Sequence, residues 1–293
     1  MSTTEQHQTP TRGAGAPPAG ASATGDTATG GRPRHRTAWI VVAFLGALLV
    51  VAPSLYWTLA DSVSQTARYE SPDNGHAHPV SAVEVDAGSA RITVKASAAD
   101  HVTLNGRLTW AVKRPSVERT WDGDTLKLRT RCVGFVDQVF GNCQVDLDLA
   151  IPATTRLTVR SGSGETVIRD LSAPVDIRSG SGSIKLTGLA GTVSAKTGSG
   201  ELRTSQLTSP YVTLNTGSGS LDATFSAAPR QVTARTGSGS VTVTVPEGTR
   251  YRVSGSSGSG SRDIQDELLD NNSDRLLKLS TGSGSVNVGY PGF

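Results

Sequence analysis

Between Leu157 and the end of the chain, apolar and polar residues alternate in short runs. The apolar members are Leu157 and Val159, Val175 and Ile177, Ile184 and Leu186, Val193 and Ala195, Val212 and Leu214, Val232 and Ala234, Val241 and Val243, Leu277 and Leu279, and Val286 and Val288. A period of two residues places alternate side chains on opposite faces of a β-strand. The pattern therefore predicts a succession of strands, each with one buried face.

A glycine-containing turn separates these runs and recurs seven times, beginning at Ser161, Ser179, Thr197, Thr216, Thr236, Ser257 and Thr281. Each copy carries two glycines. The pairs are Gly162 and Gly164, Gly180 and Gly182, Gly198 and Gly200, Gly217 and Gly219, Gly237 and Gly239, Gly258 and Gly260, and Gly282 and Gly284. A spacing this regular is an internal repeat. Glycine at both fixed positions permits backbone angles that a Cβ resists and lets successive turns approach closely.

One strand–turn–strand unit cannot bury its apolar face alone, but units stacked about 4.8 Å apart form two continuous sheets around a thin core. The fold class predicted is all-β: a single-stranded β-solenoid, or β-helix, with coils of about 18–20 residues. A flexible Gly/Ser linker is the alternative, but linkers lack apolar alternation at fixed offsets from each glycine pair.

The folded domain is predicted to begin at Val80 and to run to Phe293, with irregular capping strands over 80–150 and the repeats over 151–293. Ala87-Gly88-Ser89-Ala90 is a degenerate copy of the turn. Residues 101–112, 117–121 and 125–132 are predicted strands, with a hairpin turn at Asp122-Gly123. Arg262–Arg275 interrupts the last repeats and is expected to be a surface loop or a short helix.

The N-terminal part differs in composition. Residues 1–36 are rich in Thr, Ala, Gly and Pro and are predicted to form a disordered cytoplasmic tail. Residues 37–60 are predicted to form one transmembrane helix, because the stretch from Ala38 to Ala60 is apolar and uncharged. The arginines before it predict a cytoplasmic N-terminus and an extracytoplasmic C-terminal domain. A cleaved signal peptide is the alternative, although no convincing small-x-small cleavage site follows Val51.

Residues 61–79 are interpreted as a polar linker. Its His76 and His78 could contact a metal ion, but two imidazoles without a third ligand are weak evidence for a site. No metal site and no cofactor are predicted.

Cys132 and Cys143 are the only cysteines and stand at the ends of two strand-like runs. Outside the cytoplasm they are expected to form a disulfide, with two free thiols as the alternative. The apolar residues 133–140 between them would contact a membrane or partner, or fold back over the end of the solenoid.

No catalytic residues are predicted, and the chain is interpreted as a non-enzyme. There is no Gly-x-Ser-x-Gly elbow, and His101 is the one histidine in the predicted folded domain. The turn hydroxyls are expected to form hydrogen bonds between neighbouring turns. A regular calcium ladder is not supported either, because only Glu165 and Glu201 supply carboxylates after the seven turns. The mixed outward residues also argue against an ice-binding threonine face.

One set of residues suggests binding. The residue before each turn is Arg160, Arg178, Lys196, Asn215, Arg235, Ser256 or Ser280, so stacking would align three basic side chains and add a fourth after one gap. An anionic polymer would relieve their mutual repulsion and gain charge-assisted hydrogen bonds. An ordinary solvated edge, compensated by Asp176, Glu165 and Glu201, is the alternative. The net charge of +3 does not indicate nucleic-acid binding.

The runs Leu149–Pro152, Leu157–Gly164 and Pro174–Gly182 resemble the bacterial putative-adhesin family of β-strand repeats, also called toast-rack domains. The resemblance covers about 80–293. It implies a surface-exposed β-helical domain, and related domains accompany membrane modules of envelope-stress systems.

The resulting function is a cell-surface, adhesin-like binding module in the cell membrane. Its predicted partners are the lipid bilayer, through residues 38–60, and an anionic cell-wall polymer or an envelope protein. The alternative function is a sensor or scaffold of an envelope-stress signalling system. The presence of one anchor without a recognisable second signalling domain weakens that alternative.

Overall fold

The computed structural model describes residues 36–63, 65–71, 79–111, 113–132 and 143–292. Contacts divide the chain into two units between Ser54 and Leu55, and every strand belongs to the second unit. The predicted tail over 1–36, apart from Arg36, and the pair His76 and His78 lie outside the described residues.

One α-helix, α1 (Arg36–Val63), contains the long apolar run and includes Pro53. Its described side chains are exposed from residue 39 to residue 53, and Trp39, Phe44 and Leu49 are each more than 70% accessible. Within the described part of the chain, no helix is long and apolar enough to cross a membrane, so the predicted span at 37–60 is not confirmed.

The strands form two long sheets, as the alternating pattern predicts. The eleven-stranded sheet contains, in spatial order, β1 (Gln65–Glu70), β4 (Thr103–Trp110), β7 (Gln144–Pro152), β3 (Arg91–Ser97), β9 (Thr166–Arg169), β11 (Ile184–Thr187), β13 (Leu202–Leu207), β15 (Leu221–Phe225), β17 (Val241–Thr244), β21 (Val286–Gly289) and β19 (Arg262–Ile264). The ten-stranded sheet contains β18 (Arg252–Ser259), β20 (Leu276–Ser283), β16 (Gln231–Ser238), β14 (Tyr211–Ser218), β12 (Val193–Ser199), β10 (Val175–Ser179), β8 (Arg156–Ser161), β2 (Ala82–Gly88), β6 (Thr125–Arg131) and β5 (Ser116–Asp122).

Each coil contributes one strand to the ten-stranded sheet and the next strand to the eleven-stranded sheet. Neighbouring coils pair in parallel: Val175 lies opposite Leu157 and Val193, and Ile184 lies opposite Leu202. This arrangement is consistent with the predicted solenoid.

The apolar members of the alternating runs fill the space between the sheets. The side chains of Val159, Ile177, Leu214, Val232 and Val286 are no more than 1% exposed, within a single buried cluster. Aliphatic residues dominate it because a core bounded by two nearby sheets leaves little depth for large aromatic rings.

The glycine pairs lie directly above one another. A Cβ built on Gly237 would lie 2.5 Å from the carbonyl oxygen of Gly217, and one on Gly217 would lie 2.5 Å from that of Gly198. The second glycine of the later turns also has a positive φ, which is 125° at Gly239. The prediction that glycine permits close stacking is therefore confirmed at these corners.

Hydroxyl groups bind the corners together. The one proton of the Thr236 hydroxyl is shared between two carbonyl oxygens, that of Ser238 in its own turn and that of Gly219 in the neighbouring turn, each 3.0 Å from Oγ1. The proton of the Thr281 hydroxyl is shared in the same way between the carbonyl oxygens of Ser283 at 3.1 Å and Gly239 at 2.8 Å. The expected hydrogen bonds between neighbouring turns are thus present, and they satisfy carbonyls that glycine corners leave buried.

Irregular strands lie at one end of both sheets, as predicted for residues 80–150. β4 pairs antiparallel with β7, and β5 pairs antiparallel with β6 through the predicted hairpin next to Asp122. One boundary differs from the sequence interpretation. Residues 65–70, assigned to the polar linker, form β1 and pair antiparallel with β4, where Ala67 and Tyr69 pack against the core.

At the opposite end, the last two coils are stacked out of chain order, which the repeat pattern did not predict. β20 lies between β16 and β18, and β21 lies between β17 and β19. Arg275 holds the entry to β20, because its Nη1 donates to the carbonyl oxygens of Ala228 at 2.8 Å and Pro229 at 3.0 Å. The segment Arg262–Arg275, expected to be a surface loop or a short helix, contains a 3₁₀ turn at Asp266–Leu268 and also β19, which was not predicted.

The expected disulfide is present between Cys132 and Cys143, whose Cα atoms are 6.1 Å apart. The apolar residues 133–140 between them lie outside the described part of the chain, so both interpretations of that segment stay predictions.

The stacked corners generate a testable prediction. Gly237→Ala should lower the stability of the β domain by about 1–3 kcal/mol, because the added methyl group must displace the backbone of Gly217. Thermal unfolding of the full chain, followed by circular dichroism, measures the effect. Ser238→Ala, at an exposed position of the same turn, is the matched control. Equal melting temperatures for Gly237→Ala and wild type would contradict tight stacking.

Candidate anion-binding surface

The basic residues before the turns form one row on the outer face of the ten-stranded sheet. Arg160 lies opposite Arg178, Arg178 opposite Lys196, and Lys196 opposite Asn215, which in turn lies opposite Arg235. We call Arg160, Arg178, Lys196 and Arg235 the basic row. Their alignment, with one gap at Asn215, follows from the parallel register.

All four side chains of the basic row point away from the core and are exposed. They alternate with buried residues such as Val159 and Ile177, so the strand pleat fixes their outward direction. Neighbouring strands are about 4.8 Å apart, which is less than the screening length of about 8 Å at physiological salt. The electrostatic fields of consecutive charges in the row therefore overlap.

Within the described residues, Arg178 is the member of the basic row that forms an ion pair. Its Nε lies 3.4 Å from Asp176 Oδ1, two residues earlier on β10. Among the described residues, no ion pair is formed by Arg160, Lys196 or Arg235. The compensation expected from Glu165 and Glu201 is not observed, because those carboxylates bind cations on the other sheet.

The row continues beyond Arg160 in a way that the repeat pattern did not reveal. Asp86 of β2 lies opposite Arg160, and Arg129 of β6 lies opposite Asp86. Arg129 Nε and Asp86 Oδ2 form an ion pair at 3.2 Å. A signal was available in the sequence, since Asp86 precedes the degenerate turn at Ala87-Gly88 as Arg160 precedes its own turn.

A shallow groove of about 220 Å³ lies at this junction. Its charged lining residues are Glu84, Asp86, Glu118, Lys127, Arg129 and Arg160. Three carboxylates balance three cations here, so the positive surface ends at Arg160. At the other end the row passes through Ser280 and finishes at Ser256, the reverse of their chain order.

The next outward row, two residues earlier, contains mainly hydroxyl groups. Thr158, Asp176, Ser194, Thr213 and Thr233 occupy consecutive strands from β8 to β16. Asp176 is the one carboxylate in this row. From β8 to β16, the sheet therefore combines a line of exposed cations with a line of mostly neutral hydrogen-bonding groups, of which Thr233 is buried.

Comparison with protein families identifies the domain. The family model described as Toastrack DUF4097 matches residues 80–220 and 136–288, so its two matches together span more than two thirds of the chain. The chain belongs to the toastrack family. This confirms the resemblance to toast-rack domains that the strand and glycine runs suggest.

Several solved structures are similar to this toastrack chain. A putative adhesin from Bacteroides fragilis is 12% identical, with coverage of 77% of this chain and 97% of that chain and a TM-score of 0.48. A putative lipid binding protein from Parabacteroides distasonis is 17% identical, with coverages of 77% and 96% and a TM-score of 0.41. A putative cell adhesion protein from Clostridium sporogenes is 10% identical, with coverages of 77% and 98% and a TM-score of 0.37. No curated protein matches the chain.

Another charged surface of the toastrack domain is an ion-paired network on the eleven-stranded sheet. Glu165 contacts Lys185 Nζ at 2.7 Å and Arg91 Nε at 3.3 Å, and Glu201 pairs with Arg203. The hydrogen bond from Lys185 lowers the pKa of Glu165, with a further contribution from Arg91. These cations are paired with carboxylates, whereas Arg160, Lys196 and Arg235 of the basic row form no ion pair within the described residues.

The network predicts a pH-dependent contribution to stability. The lowered pKa of Glu165 means that its contribution is present above the ordinary pKa of 4.5 and is lost as pH falls through the folded-state value. Glu165→Gln should reduce the stability by less than about 1 kcal/mol at pH 7, because the pair is partly exposed. Unfolding of both proteins between pH 3 and about pH 7 measures the difference. A difference that grows as the pH falls would contradict this assignment.

Proposed function

We propose that this toastrack domain is a non-enzymatic binding module of the cell surface and that its basic row binds an anionic polymer. The observation that carries the proposal is the alignment of Arg160, Arg178 and Lys196 on adjacent strands. The chemistry recognised is a chain of repeated phosphate or carboxylate groups, as in anionic cell-wall polymers.

Three properties of the basic row support this chemistry. Guanidinium groups form paired hydrogen bonds with phosphate and carboxylate oxygens. The row is linear and is repeated by the coils, which suits a linear polymer better than a single small anion. Arg160, Lys196 and Arg235 form no ion pair within the described residues, so an anionic ligand would not have to displace a protein carboxylate from them.

The mutual repulsion of the row adds to the argument. Like charges opposite one another on adjacent strands are destabilising by up to about 1 kcal/mol per pair. A polyanion removes this repulsion when it binds. The carboxylates at Glu84, Asp86 and Glu118 border the row at one end and would repel a polyanion that extended past Arg160.

A non-enzymatic role is part of the proposal. In the folded domain, Nδ1 of His101 lies 3.3 Å from Oδ1 of the preceding residue, Asp100. The side chain of Asp100 is 88% exposed. The turn hydroxyls of Thr236 and Thr281 donate hydrogen bonds to backbone carbonyls of neighbouring turns. Their protons are therefore used to hold the corners together. Stacked hydroxyls used in this way support a scaffold rather than a set of nucleophiles.

The basic row can be tested with three substitutions. Replacing Arg160, Arg178 and Lys196 by serine should weaken the affinity for polyphosphate and for polygalacturonate by about tenfold or more, since three charge-assisted contacts are lost. Wild-type binding should weaken as salt increases, and neutral dextran should not bind. Binding of the purified full chain to each polymer is measured by fluorescence anisotropy.

A matched control removes the same charge from the other sheet. Lys95, Arg107 and Arg169, replaced by serine, also subtract three exposed positive charges, but they lie on the eleven-stranded sheet. This control should retain most of the affinity. Equal losses in both triple variants would show a general effect of net charge, and an affinity insensitive to salt and to both substitutions would overturn the proposal.

We also propose that α1 anchors the module in a lipid bilayer, with the toastrack domain outside the cytoplasm. The support is the run of exposed apolar side chains on α1, including Trp39, Phe44, Leu45 and Leu49, together with the arginines that precede it in the sequence. Exposed apolar side chains on one helix favour transfer from water into lipid.

The anchoring proposal has its own test. Leu45→Asp combined with Leu49→Asp should shift the protein from the membrane fraction to the soluble fraction after an alkaline wash, because each charge costs about 2.5–3.5 kcal/mol near the bilayer centre. Leu269→Asp, at a partly exposed site in the β domain, is the control and should not change the distribution. Wild-type protein in the soluble fraction would contradict the anchor.

A further inference from the structure

The outermost coil at one end of the toastrack domain is formed by β18 and β19, which come before the last coil in the chain. β20 pairs with β16 on one side and β18 on the other, whereas β18 has one neighbouring strand among the described strands. Among the same strands, β19 pairs only with β21. We call residues 252–264 the terminal coil. Its two strands expose an edge of each sheet.

The buried coil beneath has an interior like that of the other coils. Its inward residues are at most 4% exposed and are Leu277, Leu279, Thr281, Val286 and Val288. The terminal coil places different side chains opposite them, in the same register. These are Val253, Gly255, Ser257 and Ile264, which are half-buried, and Arg262, which is exposed.

Arg262 is the least expected of these residues. It occupies the position that is aliphatic in the preceding coils, where the register aligns Ile184, Leu202, Leu221, Val241 and Val286. Its side chain lies towards β18, because a Cβ built on Gly255 would be 3.3 Å from Arg262 Nε. The missing side chain at Gly255 therefore leaves room for an inward-pointing arginine.

A short segment after the terminal coil covers the adjacent corner. Tyr251 N donates to the carbonyl oxygen of Leu268 at 2.8 Å, and Asp270 N donates to that of Tyr251 at 2.9 Å. Tyr251 and Leu268 are fully buried. The chain itself thus closes this corner. The second half of β18, from Gly255 to Ser259, consists of glycine and serine.

We infer that the terminal coil is a built-in cap that prevents a second copy of this chain from adding to this end of the solenoid. Two copies related by a two-fold axis could pair β18 with β18 and β19 with β19 in antiparallel fashion. Such pairing would enclose Arg262 without a partner, and an uncompensated buried charge is strongly unfavourable. Gly255 and Ser257 would also contribute almost no apolar area.

The inferred cap explains why the coils are stacked out of order. The apolar coil 276–289 needs neighbours on both sides to bury its leucines and valines, whereas the coil containing Arg262 is tolerated only where water reaches the guanidinium group. Inward-pointing charges and short edge strands are known ways of protecting an exposed sheet edge.

The test replaces two inward residues of the terminal coil by the residue types found at the same positions of the neighbouring coil. Gly255→Leu with Arg262→Val introduces the residue types found at Leu279 and Val286, and removing Arg262 clears the space beside residue 255. In detergent at about 50 µM, the full-length double variant should sediment with twice the protein mass of the wild type. A dimer of this kind is expected for a modest apolar interface. Hydrogen exchange at residues 252–264 should slow in the same variant.

Arg262→Val alone is the second variant and tests the arginine while retaining Gly255. Ser256→Leu with Asp263→Val is the matched control, because it adds the same side chains one residue away, on the outward faces of β18 and β19. Doubling confined to the inward variants supports the cap. Unchanged mass in both inward variants with native circular dichroism, equal association of the control, or a wild-type oligomer protected at 252–264 would each overturn it.

Discussion

The contact on which the rest of the structure depends is the stacking of one glycine corner on the next. The backbone at Gly237 approaches the carbonyl of Gly217 so closely that a Cβ has no room. Hydroxyl groups at the same corners, such as that of Thr236, bridge two successive turns. Together these contacts keep each coil in register with the next, because a shift of one residue would replace a glycine by a side chain and turn the apolar residues outward.

A constant register has consequences on both sides of each sheet. Inside, it aligns aliphatic residues such as Ile184 and Leu202 into a continuous core. Outside, it aligns Arg160, Arg178 and Lys196 although their charges repel one another. The repulsion between the outward charges costs less free energy than the burial of several aliphatic side chains per coil gains. The core therefore sets the register of the strands, and the basic row is retained. The same geometry places Glu165 between Lys185 and Arg91, where opposite charges lie close together.

A stack of parallel coils must also end, and the two ends of this domain end differently. Near residue 80 the direction of pairing changes, since β4 and β5 pair antiparallel with their neighbours and aromatic residues such as Trp110 and Trp121 join the core. At the other end the pairing stays parallel and the interior becomes polar at Gly255 and Arg262. Antiparallel strands and an inward charge both limit further growth of the sheets, by different physical means.

The sequence by itself determined the repeating unit. The alternation of apolar and polar residues identified the strands. The glycine pairs identified the corners, because the backbone contact at a corner admits no other residue. The sequence also predicted the disulfide and the order of the basic row up to Arg235. The tertiary structure alone decided how the final coils are ordered, that Arg129 pairs with Asp86 beyond the row, and that residues 65–70 pair with β4. Those features depend on contacts between segments far apart in the chain, such as Arg275 with Ala228, and on which coil can lie at the end with its interior exposed to water. Local alternation is the same for a coil in the middle and a coil at the edge, so only the packed structure distinguishes them.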